Sequence, residues 1–122
     1  ENMANISSVF HNRLENMYEY PHLQSDTTDN YIEDVIRPNI PSSSLALYEN
    51  VITAYDTYTC EGLPAGPICS PGLEAINAAL YPAETDYYYF LSSSDGVFYY
   101  ASTVEKHEQN IIDAALREEE QN

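Results

Sequence analysis

At 122 residues the chain is long enough for one domain with a modest core and too short for a second. Four Lys plus Arg stand against 20 Asp plus Glu, a formal charge of −16 that repels nucleic-acid phosphates and anionic membrane surfaces, so nucleic acid is not an expected partner. No apolar run reaches the roughly 18 residues of a membrane span, and the start is not charged-then-apolar, so this stretch is expected to carry neither a span nor a signal peptide and to make no membrane contact of its own.

In chain order, Met3, Ile6, Val9, Phe10, Leu14 and Met17 recur at intervals of three and four and predict an amphipathic helix from about Asn2 to Asn16. Arg13 near its C-terminus is favoured by the helix dipole whether or not it meets a ligand. Gln24-Ser25-Asp26-Thr27-Thr28 is a run of short hydrogen-bonding side chains, the composition of Asx and Ser/Thr turns. From Asp29 to Asn50 the signal is weak: a short helical or irregular excursion through Tyr31 to Ile36, then, past Pro38 and Pro41, a surface loop.

The stretch Tyr55 to Gly72 holds three of the four glycines and three of the seven prolines between Gly62 and Gly72. Proline fixes φ and glycine alone takes positive φ cheaply, so this density specifies a rigid path able to hold a ligand. Cys60 and Cys69 flank it, and His11, His22 and His107 lie at no metal-ligand spacing, so the cysteines are read as structural or free and no metal or cofactor is expected. Pro71 sits where a first-turn proline belongs, and Leu73, Ile76, Ala79 and Leu80 predict a second helix ending before Pro82.

Asp86 to Leu91 and Val97 to Ala101, on either side of the turn Ser92 to Gly96, predict a tyrosine-rich antiparallel β-hairpin. Its rings suit sheet packing first and sugar stacking second. Ser102-x-x-Glu105 reads as a capping box for a last helix with Val104, Ile111, Ile112 and Ala115 facing inward and Arg117 to Glu120 as a solvated end. The fold class is α+β, a single domain over residues 1–122.

Several of these stretches share a wording. Ser8-Val9-Phe10-x-Asn12-Arg13-Leu14, Leu23-Gln24-Ser25-Asp26-x-Thr28, Tyr55-x-Thr57-Tyr58 with Gly62-Leu63-Pro64-x-Gly66-Pro67-Ile68, Pro71-Gly72-Leu73 through Ala78 to Phe90, and Ser102-Thr103-x-Glu105-x-His107 occur in this order. Together they resemble the endolytic murein transglycosylases, the MltG or YceG-like family, from about Ser7 to Ile111 with a gap over Asp29 to Asn50. The resemblance implies a peptidoglycan glycan strand as ligand, with cell-wall synthesis machinery as a further partner. It also implies a place on the extracytoplasmic face of the bacterial membrane, through an upstream anchor. The residues it marks for substrate binding are Asn12, Arg13, Gln24, Ser25, Asp26, Thr28, Tyr55, Thr57, Tyr58, Pro64 and Gly66. Thr27 departs from the family's proline and loosens that edge of the cleft.

The family's chemistry cleaves the bond between N-acetylmuramic acid and N-acetylglucosamine without water. One carboxylic acid protonates the leaving oxygen and then, as base, helps the sugar's own 6-hydroxyl attack, leaving a 1,6-anhydro end. In the family that glutamate lies just before the S-V-F-x-N-R-L segment, and Glu1 does not match its position. No catalytic residue is therefore assigned, and these residues are expected to supply the cleft of a longer catalytic domain without its acid. The family's older lyase label would require a Schiff-base lysine, but the single lysine, Lys106, sits beside Glu105 on a polar helix face. The alternative is a non-catalytic, acidic cell-wall binding or scaffold module.

Overall fold

Helix α1 spans Asn2–Glu15, within a residue of the periodicity, and buries Val9 to 2% of its surface with Ser8 beside it. The computed structural model describes residues 1–122 and groups them into two compact units, Glu1–Asn12 with Gly72–Asn122, and Arg13–Pro71. The chain adds α2 (Asp26–Tyr31), α3 (Leu45–Tyr55), α4 (Leu73–Leu80), β1 (Tyr89–Ser92), β2 (Phe98–Ala101) and α5 (Val104–Gln121), an α+β architecture.

In the first unit the hairpin β1–β2 is antiparallel, Tyr89 opposite Ala101 and Leu91 opposite Tyr99, and it lies between two helices. On the α1 side Phe90 meets Phe10 edge-on with ring centres 5.8 Å apart, and the Tyr100 hydroxyl donates to Asn2 Oδ1 at 3.0 Å. On the α5 side the Tyr89 ring stacks on His107 at 5.1 Å, and Asn110 Nδ2 donates to the Tyr100 carbonyl at 3.0 Å. The rings of Phe90 and Tyr89 are thus spent on packing, edge-on and stacked as aromatic quadrupoles prefer. The Ser8 hydroxyl lies 2.7 Å from that of Thr85, and His11 Nε2 donates to the Ala79 carbonyl at 2.9 Å.

The face that α5 buries differs from the expected one. Val104, Ile111 and Ile112 are 45%, 51% and 53% exposed and Ala115 is exposed as well, while Asn110 and Ala114 are buried and His107 is half-buried. The hairpin face opposite is already filled by large rings, so the helix closes on it with its smaller and polar side chains at three- and four-residue spacing. The cap also shifts by one residue: Thr103 Oγ1 accepts the Lys106 N–H, so Thr103 and not Ser102 is the N-cap. The acidic end is solvated as expected, with Arg117, Glu119 and Glu120 exposed, but it is not unattached. Arg117 Nε donates to Asp95 Oδ2 at 2.7 Å, Gln121 to the same oxygen at 3.0 Å, and the Ser94 N–H to Glu118 at 2.7 Å, so the last turns of α5 hold the hairpin turn. Gly96, at φ 82°, supplies the positive φ this turn needs. At α4 the N-cap is Gly72, which leaves Pro71 one position outside the helix.

In the second unit the buried apolar residues are Leu23, Ile32 and Ile52. The short helical or irregular excursion expected through Tyr31 to Ile36 is helical, α2 running into a π-helical turn at Ile32–Ile36, and the surface loop expected beyond it is instead largely helical too: short 3-10 turns follow at Arg37–Asn39 and Ser42–Ser44, and α3 begins at Leu45. Pro38 lies inside the first 3-10 turn, where a missing N–H does not interrupt a ladder. Helix α3 escapes a periodicity search because its apolar residues lie all round it. Leu47 and Val51 are 81% and 46% exposed while Ile52 alone is buried. No helix is long and apolar enough to cross a membrane.

Candidate glycan site in the Arg13–Pro71 unit

Segment Pro21–Ser25 runs alongside Thr57–Gly62, held by backbone bonds. The Gly62 N–H donates to the Pro21 carbonyl at 2.9 Å and the Gln24 N–H to the Thr57 carbonyl at 3.0 Å, and between them the His22 side chain donates from Nδ1 to the Cys60 carbonyl at 2.9 Å. Side chains complete the junction: the Ser25 N–H donates to Thr57 Oγ1 at 2.9 Å, and that hydroxyl donates on to the Ser25 carbonyl at 3.2 Å. The Tyr58 hydroxyl donates to Asp26 Oδ1. The motifs around Gln24 and Thr57, about 30 residues apart in sequence, therefore converge on one surface.

The glycine-proline loop joins the same place. The Ala65 N–H donates to the Ala54 carbonyl at 3.0 Å, pinning the loop to the end of α3. At Gly66 an added Cβ would lie 2.5 Å from the Tyr55 hydroxyl, so the absence of a side chain is what lets the Tyr55 ring rest against the loop. The Tyr31 and Tyr55 rings lie 6.0 Å apart at a 31° tilt. Gly62, at φ 69°, has Met17 Cε 3.2 Å from the point a Cβ would occupy.

Exposure divides the residues marked by sequence. Gln24, Asp26 and Tyr58 are exposed, and Ser25, Tyr55, Pro64 and Gly66 are half-buried, so these seven have surface to offer a ligand. Thr57, Thr28 and Arg13 do not, at 1%, 4% and 6% exposed. Arg13 Nη1 donates to the His22 carbonyl at 2.9 Å, and its guanidinium lies over the Tyr20 ring at 5.2 Å. Asn12 belongs to the other unit, where its Nδ2 donates to the carbonyls of Thr85 at 3.0 Å and Tyr87 at 2.8 Å. Arg13 and Thr57 thus act through the backbone they hold, and Asn12 binds its own chain.

The surface is acidic. The hydrogen bond to Asp26, reinforced by burial and neighbouring carboxylates, pushes the Tyr58 hydroxyl up to about 12, so it stays a donor at any physiological pH. Asp29 and Asp56, which motif reading passed over, stand beside it; their signal was their position directly after Thr28 and Tyr55. Burial first, then a hydrogen bond with the Asp56 carboxyl and the charges of Asp56, Asp26 and Glu33, raises Asp29 above the ordinary carboxylate range. Asp56 in turn accepts the Tyr58 N–H at 2.9 Å. No group of His, Cys, Asp and Glu has the arrangement to hold a metal ion, and both cysteines are free thiols. The surface that results offers amide, carboxylate and phenol groups on a backbone fixed by the loop, a combination suited to the many weak hydroxyl contacts of a polysaccharide.

A model of the YceG-like family matches residues 1–113. The chain belongs to the YceG-like family. Among relatives of this YceG-like chain are an endolytic murein transglycosylase of Bacillus subtilis, 35% identical over 102 residues, and one of Streptococcus pneumoniae, 33% identical over 110. The matches cover 84% and 88% of this chain but only 26% and 19% of those relatives, so the chain spans about a quarter or less of their length. A crystal structure of a YceG-like protein from Listeria monocytogenes superposes with a TM-score of 0.68 at 36% identity, over 87% of this chain and 33% of that one.

Proposed function

We propose that this YceG-like chain provides part of the glycan-binding cleft of an endolytic murein transglycosylase, acting on peptidoglycan outside the cytoplasm. The observation that carries the reading is the convergence of Gln24, Ser25 and Asp26 with Tyr55, Thr57, Tyr58 and the Gly62 to Ile68 loop, in a chain whose relatives bear that name. In this reading the cleft holds a strand across the bond between N-acetylmuramic acid and N-acetylglucosamine. Gln24, Asp26 and Tyr58 offer polar contacts there, and Tyr55, with the loop behind it, offers a ring. Cleavage to 1,6-anhydro ends needs one carboxylic acid that first gives and then takes a proton. That role is assigned to none of these 122 residues. An anchored location and contacts with cell-wall synthesis enzymes belong to the same proposal.

The test is to mix the chain with purified, peptide-free glycan strands, measuring co-sedimentation and, by mass spectrometry, 1,6-anhydro ends. Binding without new ends is expected, and Asp26→Ala with Tyr58→Phe should weaken it. Absence of binding would refute the cleft reading. New ends that vanish on Asp26→Asn or Asp29→Asn would instead place the acid within this chain.

A further inference from the structure

Of all residues other than glycine, only Gln24 has a positive φ, 54°. In this left-handed region Cβ crowds the carbonyl that follows, a strain that glycine avoids and that asparagine or aspartate relieves by local bonding. The chain places glycine at its other two positive-φ positions, Gly62 and Gly96. At position 24 a long carboxamide stands against the backbone's preference.

Strain of this kind persists only where the surroundings over-determine the backbone. They do so through one residue. Thr57 takes the Gln24 N–H on its carbonyl at 3.0 Å, takes the Ser25 N–H on its hydroxyl at 2.9 Å, and returns that hydroxyl's proton to the Ser25 carbonyl at 3.2 Å. With 1% of its surface exposed, Thr57 makes these bonds out of reach of water, where exchange for solvent partners is costly. The Gln24 side chain is the opposite case. It is exposed and makes no hydrogen bond within the chain.

We infer that Thr57 is a positioning residue that locks Gln24 in the left-handed conformation so that its carboxamide meets an amide group on the ligand. A carboxamide has two donors and an acceptor on one plane, which pairs with a second amide through both functions and with a lone hydroxyl through only one at a time. The inference rests on the glycan-cleft reading and sharpens it, since the amide a peptidoglycan strand presents is the acetamido group of its amino sugars.

The experiment is an NMR titration of the whole chain with chitotetraose, which carries acetamido groups, and with cellotetraose, which carries hydroxyls in their place. Thermal melts of each variant accompany it. The wild type is expected to prefer chitotetraose, Gln24→Ala to lose that preference with an unchanged melting temperature, and Thr57→Val to weaken chitotetraose binding about tenfold, the loss of one to two hydrogen bonds, with Thr57→Ser restoring it. Gln24→Gly is expected to melt above Gln24→Ala, the reverse of the usual order, because only glycine is unstrained at that φ. Should Thr57→Val fail to fold, the Gln24 pair and Thr57→Ser decide. Chitotetraose preference surviving in Gln24→Ala, or Gln24→Ala melting above Gln24→Gly, would overturn this inference and leave the cleft reading standing. No binding of either sugar by the wild type would overturn both.

Discussion

Replacing Asn12 separates a packing residue from a ligand residue. Its Nδ2 donates to the carbonyls of Thr85 at 3.0 Å and Tyr87 at 2.8 Å, fastening α1 to the segment that leads into β1. A net contribution of about 0.5–1.5 kcal/mol per bond, taken toward the low end because the residue is only half-buried and water can reach the freed carbonyls, gives about 1–2 kcal/mol for Asn12→Ala. For a chain of this size about 4 °C of melting temperature accompanies each kcal/mol, so a fall of about 4–8 °C is expected. Asn12→Asp should fall further, because a carboxylate has no proton to donate and would face two carbonyl oxygens. The assay is thermal unfolding by circular dichroism, paired with glycan co-sedimentation per folded molecule, which should not change. Asn12→Ala melting within about 1 °C of the wild type while binding glycan less would refute the packing argument and return Asn12 to the ligand.

Two carboxylate groupings give opposite pH dependences. Asp95 is held below the carboxylate range first by the Ser93 hydroxyl and then by Arg117 and Gln121, and Glu118 by the Ser94 N–H. Their contribution is present above the unfolded value of about 4 and lost as pH falls through their folded values, so Asp95→Asn should flatten the acid limb of the melting curve. Asp29 is raised, so the folded state holds its proton longer and stability declines as pH climbs from about 4 through the folded value. Asp29→Asn should therefore melt above the wild type at neutral pH and lose that advantage in acid; equal melts at both pH values would refute it. Cys69 is exposed, whereas the half-buried Cys60 thiol is raised by burial, so a thiol reagent should label Cys69 first, read by peptide mass spectrometry. Gly66→Ala should displace the Tyr55 ring, seen as a shift of its NMR ring signals and weaker glycan binding with little loss of stability, since the atom in the way is the end of a side chain.

The residues that declare themselves in the sequence are those whose structure is decided within a few positions. Helix α1 follows from the spacing of Ile6, Val9 and Phe10, α4 from Leu73 to Leu80 between Gly72 and Pro82, and the hairpin from β-favouring rings around Ser92 to Gly96. The motif wording, also local, sufficed to indicate the YceG-like family. What the tertiary structure alone decided involves surfaces brought together from far apart. Which stripe of α5 is buried depends on rings from Tyr89 to Tyr100, so Asn110 and Ala114 go inward while Ile111 and Ile112 stay out. Helix α3 has no stripe to read, and the acidic tail becomes a clamp only because Asp95 and Ser94 come to meet it. At the candidate site the sequence offered Gln24 and Thr57 as equals. The fold buries one and exposes the other in a strained backbone, because a hydroxyl 32 residues from Ser25 satisfies both of its backbone polar groups.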